Sequence, residues 1–334
     1  MEPLEDDQIM RCKVSLYNPF FEQTLPFLAK LYKAAFKPRR RFAKRFIGKP
    51  AKQLFRLLAA IGVSGAGVFF LKTESSQKKI FYNARNTQFG AIYMPQNKPI
   101  YEPETSALLL RIIRPNDIFF DVGANWGWYS ILIANTFNFS GQIHAFEPFP
   151  SNFEDLISIV KQGNFENSIT CHNFALAENS GYSKMAFSDG IQNGLARLSA
   201  KNGVSVKLTK LDDLTLPNPN IIKIDAEDHE LGVLQGAKIL LKRSRPFILI
   251  ENWLHQSDVQ ITLAPLKFLK DHEYYFFNIG WVDQDTNCIK AKPIEFSELA
   301  LVPFIMAQRF QMSDQINILA IPSEKINQFR DRLN

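Results

Sequence analysis

The sequence predicts a doubly wound α/β fold with a mostly parallel sheet, on three observations. Between residues 117 and 253, apolar runs of strand length alternate with stretches of helical period. The first run leads into a turn that carries Gly123 and Gly127. The second ends in an acid, Glu147, 24 residues beyond Gly123. Such alternation implies βαβ units, whose right-handed crossovers place helices on both faces of the sheet.

Residues 1–75 read as a helical, basic N-terminal extension. Leu25, Leu28, Tyr32 and Ala35 recur at helical spacing, and Pro38 and Pro50 punctuate the region. Residues 76–116 read as a hairpin over 79–94, with turn residues Asn83, Asn86 and Gly90, then a helix from Glu102 to Ile113. Residues 117–334 read as the α/β domain. Its strands are expected at 118–122, 142–147, 169–176, 221–225 and 247–251, with helices at 128–137, 151–161 and 229–242. A polar segment, 178–203, interrupts the alternation, and 182–187 with 204–208 would add an edge hairpin. A helix at 265–271 and strands at 274–279 and 316–321 close the chain, around a loop-rich insertion.

Composition excludes several classes. Of 334 residues, 46% are hydrophobic, enough for a proper core and too many for a disordered chain. Three cysteines, Cys12, Cys171 and Cys288, are too few and too widely spaced for a disulfide framework, so a reducing, cytoplasmic setting is expected. The start, Met-Glu-Pro-Leu-Glu-Asp-Asp, is the opposite of a signal peptide's basic opening. The best membrane candidate, the uncharged run Leu57–Leu71, is 15 residues with three glycines, short of the ~20 a span needs. It reads as a buried helix end and a turn.

The net charge of +6 is unevenly spread. Nine Lys/Arg and no acid lie between Lys37 and Arg56, so the remainder is net negative. A run of this kind is a solvated helical face or a site for an anionic partner. Phe42, Phe46, Ile47, Leu54 and Phe55 interleave with the charges, which fits a peripheral contact with anionic lipid better than nucleic acid. No nucleic-acid partner is expected.

The turn Asp121-Val-Gly123-Ala-Asn125-Trp-Gly127 pivots the chain from strand to helix at the carboxyl edge of the sheet, where open parallel sheets bind ligands. Gly123 permits the tight turn, and Gly127 permits close packing or close approach of a ligand. A dinucleotide fingerprint needs Gly-x-Gly-x-x-Gly. Here Asn125 takes the middle position and Trp126 crowds the loop, which disfavours a pyrophosphate and leaves a phosphate-free nucleoside acceptable. Glu147, at the end of the second strand, can accept from both hydroxyls of a ribose. Asp121 closes an apolar run, and the loop amides or a ligand ammonium would partner it. Pro148 and Asn173 complete the expected cofactor contacts.

At these residues the chain resembles the FkbM family of methyltransferases. The resemblance rests on the turn 121–127, Ala145-Phe-Glu-Pro148, Leu211-Asp-Asp-Leu214, Ile222-Lys-Ile-Asp-Ala-Glu227, Leu234-Gln-Gly-Ala237, Ile248-Leu-Ile-Glu251 and Asn317-Ile-Leu-Ala-Ile-Pro322, in order. It covers about 80–322. It implies a class I methyltransferase fold, Rossmann-like, with a seven-stranded sheet whose last strand is antiparallel. S-adenosylmethionine is the implied cofactor, and the implied activity is O-methylation of hydroxyls on sugars, lipids or polyketide-like molecules. Two positions depart from the family pattern: Asn116 and Asp228 stand where glycine is usual. Asp228 adds a charge beside Asp225 and Glu227.

Methyl transfer from a sulfonium asks the enzyme to orient the acceptor, exclude water and accept a proton. Acids at the ends of the fourth and fifth strands would surround the acceptor. Asp225 is the first candidate for acceptor contact and proton removal, with a raised pKa expected from apolar walls. Glu251 is the second and His229 the third. Lys223 is expected to pair with buried acids rather than to catalyse. Asp225, Glu251 and Asn252 also form an oxygen set suited to Mg²⁺, similar to the metal site of catechol-type methyltransferases; a divalent metal is left open. Trp126, Trp128 and Trp253 line the pocket or the core. The rival readings are an N-methyltransferase for an amine or a protein, and a cofactor-binding protein without catalysis.

Overall fold

The computed structural model describes residues 9–334 except 15, 17, 37–48, 62, 64, 74–75, 95–99, 188–195, 200–202, 284–288, 291–297 and 313. In chain order its strands are β1 (Met10–Lys13), β2 (Phe20–Thr24), β3 (Ala66–Lys72), β4 (Gln77–Asn83), β5 (Ile118–Val122), β6 (Gln142–Phe146), β7 (Ile169–His172), β8 (Ala175–Leu176), β9 (Gly181–Phe187), β10 (Ala196–Ser199), β11 (Val204–Thr209), β12 (Ile221–Ile224), β13 (Phe247–Trp253), β14 (Tyr274–Val282), β15 (Ile289–Lys290), β16 (Glu298–Pro303) and β17 (Gln315–Pro322).

Strands β5, β6, β7, β12 and β13 pair in parallel, in the order β7-β6-β5-β12-β13. Their apolar residues alternate between two cores. Phe119, Ile143, Ile221 and Leu249 face one core, with Leu109, Ile131, Leu132, Leu156 and Ile159 from helices Pro103–Ile112, Trp128–Ala134 and Pro150–Gly163. Phe120, Val122, Ile222 and Ile250 face the other, with Val233, Leu234, Leu266 and Leu269 from helices Glu230–Gln235 and Val259–Asp271. Each fully buried side chain of this kind contributes about 1.5–3 kcal/mol relative to exposure, so both faces hold the sheet. The chain runs outward from β5 to β7 and then returns to β12 on β5's other side. That reversal opens a crevice at the carboxyl ends of β5 and β12.

The sheet is larger than the seven strands expected. The last strand of the chain, β17, is antiparallel and lies between β13 and β14, and β16, β15 and β1 extend the sheet to ten. The expected edge hairpin forms as β9 and β11, but in a separate sheet with β8 and β10. The expected helix at 229–242 is broken in two at Gly236, whose added Cβ would meet the Ala177 carbonyl oxygen at 2.0 Å.

The N-terminal segment corrects the sequence reading. Helices Phe27–Phe36 and Lys49–Ala60 are present, but β1, β2 and β3 lie on either side of them. Strand β1 pairs with β16 in the main sheet, and β2-β3-β4 form a three-stranded sheet of their own. The hairpin expected at 79–94 is instead β3 with β4. Residues Thr87–Tyr93 turn helical because Asn86 accepts from the Gln88 amide and starts a helical turn. Periodicity failed here because short β-branched and aromatic runs fit either state. Phe20 of β2 packs on Trp126 and Trp128, with ring centroids 5.6 and 4.8 Å apart, so the N-terminal segment rests on the turn after β5. The apolar run 57–71 is split between a helix and β3, and no described helix is long and apolar enough to cross a membrane. Most of the basic run, 37–48, lies outside the described residues.

Candidate functional site

A cavity of about 370 Å³ opens over the carboxyl ends of β5, β6, β12 and β13. Gly123, Asn125, Glu147 and Pro148 line one end; Lys223, Asp225, Glu227, His229, Glu251 and Trp253 line the other.

The first end is built mainly from backbone. Gly123 has φ +79°, and an added Cβ would sit 1.8 Å from the carbonyl oxygen of Asp225. The amides of Gly123 and Ala124 both donate to the Phe146 carbonyl at 3.0 Å, which locks the turn to β6. Asn125 is left-handed at φ 51°, and its amide donates to Glu147 Oε2 at 2.8 Å. The Phe149 amide donates to Glu147 Oε1 at 2.8 Å. Glu147 is buried, which pushes its carboxyl up to about 7 against the pull of those two amides. The Asn152 side chain also hydrogen-bonds this carboxylate and takes up part of its remaining acceptor capacity.

Three expected cofactor residues support this end without lining it. Gly127 has φ +94° and starts the helix; its added Cβ would meet Leu156 Cδ1 at 2.7 Å, so close packing is its reason. Asn173 Nδ2 donates to the Glu147 carbonyl at 2.9 Å. Asp121 accepts from the Ser130 amide at 3.1 Å and its hydroxyl at 2.6 Å, which makes it the brace of the following helix.

The second end is built from side chains. Lys223, buried in β12, places Nζ 2.7 Å from Asp225 Oδ2 and 5.1 Å from the ring centroid of Tyr129. The Tyr129 hydroxyl donates to Glu102, which also accepts from Asn317 Nδ2 at 2.9 Å. Trp253 Nε1 donates to Glu251 Oε2 at 2.9 Å, and Gln315 donates to Oε1. Burial is the largest single influence on Asp225 and works against its carboxylate, but the charge of Lys223 and the hydrogen bonds of Glu251 and Lys223 together hold the group below the usual carboxylate range. The raised pKa expected for Asp225 is therefore overturned, because its wall carries an ammonium rather than apolar groups alone. Burial, and then Asp225's charge, hold Glu251 well above its ordinary value. The pair is thus driven apart, Asp225 toward its ionised form and Glu251 toward its protonated one.

His229 caps the helix Glu230–Gln235 and folds over Gly232, where an added Cβ would meet its ring at 2.6 Å. Burial pushes its pKa down, so the imidazole is neutral, and its buried Nε2 has no hydrogen-bond partner among the described residues. Asn252 leaves the oxygen set proposed for a metal: its Nδ2 donates to the Thr262 carbonyl at 2.8 Å and its Oδ1 accepts from Arg309 Nε at 2.6 Å. Carboxylate oxygens of Asp225, Glu227 and Glu251 lie within 4.8 Å of one another, close enough for a cation, and Lys223 already supplies one there. Asp228 does not line the cavity; its Oδ1 meets His255 Nε2 at 2.7 Å.

Sequence reasoning missed Tyr101, Glu102, Tyr129, Gln315 and Asn86. Asn86 Nδ2 donates to Asn125 Oδ1 and Asp155 Oδ2, both at 3.0 Å, and so steadies the turn from outside it. The one available signal was Tyr129, two residues beyond Gly127 on a helix packed against β5 and β12. Nothing local marked the others.

The profile of the methyltransferase FkbM domain matches residues 121–276. The hexuronic acid methyltransferase AglP of Haloferax volcanii is 29% identical over 154 residues, covering 45% of this chain and 62% of that protein. The chain thus spans about three fifths of that relative's length. Among solved structures, the methyltransferase FkbM of Methylobacillus flagellatus KT is 19% identical over 58% of this chain and 45% of that one, at a TM-score of 0.39. The O-methyltransferase of Bacillus cereus in complex with SAH is 13% identical over 65% and 86%, also at 0.39. Through residues 121–276 the chain is similar to the methyltransferase FkbM domain.

Proposed function

We propose that the chain methylates a hydroxyl oxygen, on a sugar, lipid or polyketide-like acceptor, with S-adenosylmethionine as donor. One observation carries the reading: a single cavity runs from Glu147, held by two backbone amides, to the Asp225–Glu251 pair. The residues fit the donor. Glu147 offers its carboxylate to both ribose hydroxyls, and the excess of acids at the far end suits a cationic sulfonium. When bound, S-adenosylmethionine supplies an activated methyl group.

The protein's own part is orientation and proton transfer. Asp225 accepts the hydrogen bond of the acceptor hydroxyl and takes its proton on a carboxylate oxygen. Lys223 keeps Asp225 ionised, and the proton on Glu251 holds its geometry. Tyr101, Trp128 and Trp253 exclude water. A second assignment is favoured by the neutral His229, whose Nε2 has no partner among the described residues and makes it the alternative proton acceptor. A glycan acceptor is the form supported by the relative's name, which describes a hexuronic acid.

The basic segment 37–56 is proposed to make a peripheral contact with anionic membrane. Support comes from the helix Lys49–Ala60, which leaves Leu54 and Leu57 exposed.

Titration calorimetry tests the main reading. S-adenosylmethionine or S-adenosylhomocysteine should bind and NAD should not. Binding of NAD alone overturns the assignment. Labelled donor with cell extract then identifies the methylated product.

A further inference from the structure

Two loops leave neighbouring parallel strands, β12 and β13, on the acceptor side of the cavity. The loop after β12 contributes Asp225, Ala226, Glu227 and His229 to the lining, and β13 contributes Glu251 and Trp253. The first loop contains two consecutive left-handed residues, Glu227 at φ 50° and Asp228 at φ 72°. Residues with a Cβ hold that conformation only where their surroundings over-determine it. Two sets of contacts do so here. On the inner side, Glu230 Oε1 accepts from the amides of Ala226 at 3.0 Å and Asp228 at 3.2 Å. On the outer side, Asp228 Oδ1 meets His255 Nε2 at 2.7 Å, with both side chains mostly buried. His255 is itself fixed, its amide donating to Thr262 Oγ1 at 2.8 Å.

The same loop presses on the cofactor turn. The Asp225 amide donates to the Val122 carbonyl at 3.0 Å, and the Asp225 carbonyl oxygen fills the space beside Gly123. A shift of the loop therefore moves the Asp225 carboxylate and disturbs the turn together.

We propose that His255 is a positioning residue: through Asp228 it clamps the 225–228 loop to the exit of β13 and so sets the acceptor wall against the cofactor turn. This rests on the cavity being the methyl-transfer site. Neither His255 nor Asp228 lines the cavity, so any effect of removing them passes through the loop.

The test uses the full chain and the variants His255→Ala, Asp228→Asn, Asp228→Gly and the double variant His255→Ala/Asp228→Gly. The measurements are amide hydrogen exchange over 226–230, calorimetric affinity for S-adenosylhomocysteine, and melting temperature. His255→Ala should speed exchange of the Ala226 and Asp228 amides at least about tenfold, because a local opening is released without global unfolding. Affinity should fall by roughly three- to tenfold, with the melting temperature within about 2 °C of wild type. Asp228→Asn keeps an acceptor and tolerates positive φ, so it should stay within about twofold of wild type. The double variant should lose no more than the worse single variant, since both remove one contact. Unchanged exchange and affinity in His255→Ala, or additive losses, overturn the clamp. A large drop in melting temperature overturns it too, by marking His255 as a packing residue. If wild type binds no S-adenosylhomocysteine, the proposed function falls, and the exchange comparison still decides the clamp.

Discussion

At the Glu147 end of the cavity most contacts are made by amides and carbonyls of residues 123–125 and 146–149, two short segments on adjacent strands, joined by the Glu147 carboxylate and the side chains of Asn86 and Asn173. At the Asp225 end they are made by side chains of Glu102, Tyr129, Lys223, Asp225, Glu251, Trp253, Gln315 and Asn317, drawn from five separate parts of the chain. A backbone-built site tolerates side-chain change but not a change of backbone geometry. A site built from paired charges behaves the opposite way: each member depends on the others' ionisation.

The largest expected effect is therefore at Gly123. Alanine there must carry φ +79° and a Cβ 1.8 Å from a carbonyl oxygen. The turn or β12 has to move, at a cost on the order of 3 kcal/mol. Gly123→Ala should abolish calorimetric binding of S-adenosylmethionine and lower the melting temperature by roughly 5–10 °C. Retained affinity would mean that the turn is not the cofactor's cradle.

Next comes the acceptor end. Asp225→Asn removes the ionised carboxylate and leaves Lys223 without its partner. Turnover should fall ~10²-fold or more while cofactor affinity changes little. Burial and the charge of Asp225 drive Glu251 toward its protonated form, so Glu251→Gln stays close to that form and should cost less than about tenfold. A larger loss from Glu251→Gln than from Asp225→Asn would reverse the two roles. Full activity in Asp225→Asn would pass proton acceptance to His229.

That contrast also explains what was legible in the sequence. The strand-helix alternation and the turn 121–127 were readable because apolar period and glycine placement act locally. Glu147 was readable because it sits at a strand end a fixed distance after the turn. Asp225 and Glu251 were found by position, but Asp225's ionisation was not. Its direction depends on Lys223, whose side chain alternates out of β12 to the same side as Asp225, and on burial that only the folded sheet creates. Glu102 and Gln315 were invisible because their links to the site are tertiary: Tyr129 and Asn317 donate to Glu102, and Gln315 donates to Glu251, across distant parts of the chain. The N-terminal strands escaped for a related reason. Met10–Lys13 is four residues long and is a strand only because β16 offers its edge.

Glu147 offers a pH test that separates the two ends. Its carboxyl is raised to about 7 by burial, so it favours the proton in the empty folded state. The stability it contributes is present below its unfolded value and is lost as pH rises through about 7. Glu104 and Glu230, also raised to about 7, share that loss, and Glu147→Gln should remove only one part of it. Ribose hydroxyls prefer the ionised carboxylate, so wild-type affinity should strengthen as pH rises through about 7. The Glu147→Gln variant should show a flatter profile. Glu147→Ala should weaken binding by about ten- to a hundredfold, from the loss of hydrogen bonds worth about 1–3 kcal/mol. An unchanged dissociation constant would place the ribose elsewhere.

The smallest effect on the cavity should come from the basic segment. Ala51 and Phe55 of the helix Lys49–Ala60 are buried, Phe55 packing with Leu28 of the helix Phe27–Phe36, while Leu54 and Leu57 point outward at 40% and 58% exposure. Arg39, Arg40 and Arg41 precede that helix in the chain and lie outside the described residues. No residue from 37–56 lines the cavity among those described. If the basic segment acts apart from the cavity, reversing the three arginines to glutamate should leave S-adenosylmethionine affinity within about twofold. The same change should cut binding to vesicles containing phosphatidylserine at least tenfold at low salt, because each basic residue near such a surface is worth about 1 kcal/mol. Replacing Leu54 and Leu57 with serine should weaken vesicle binding further by removing the apolar contact. Equal vesicle binding by all variants would make the segment a solvated face. A drop in cofactor affinity would instead tie the N-terminal segment to the cavity, through the contact of Phe20 with Trp126.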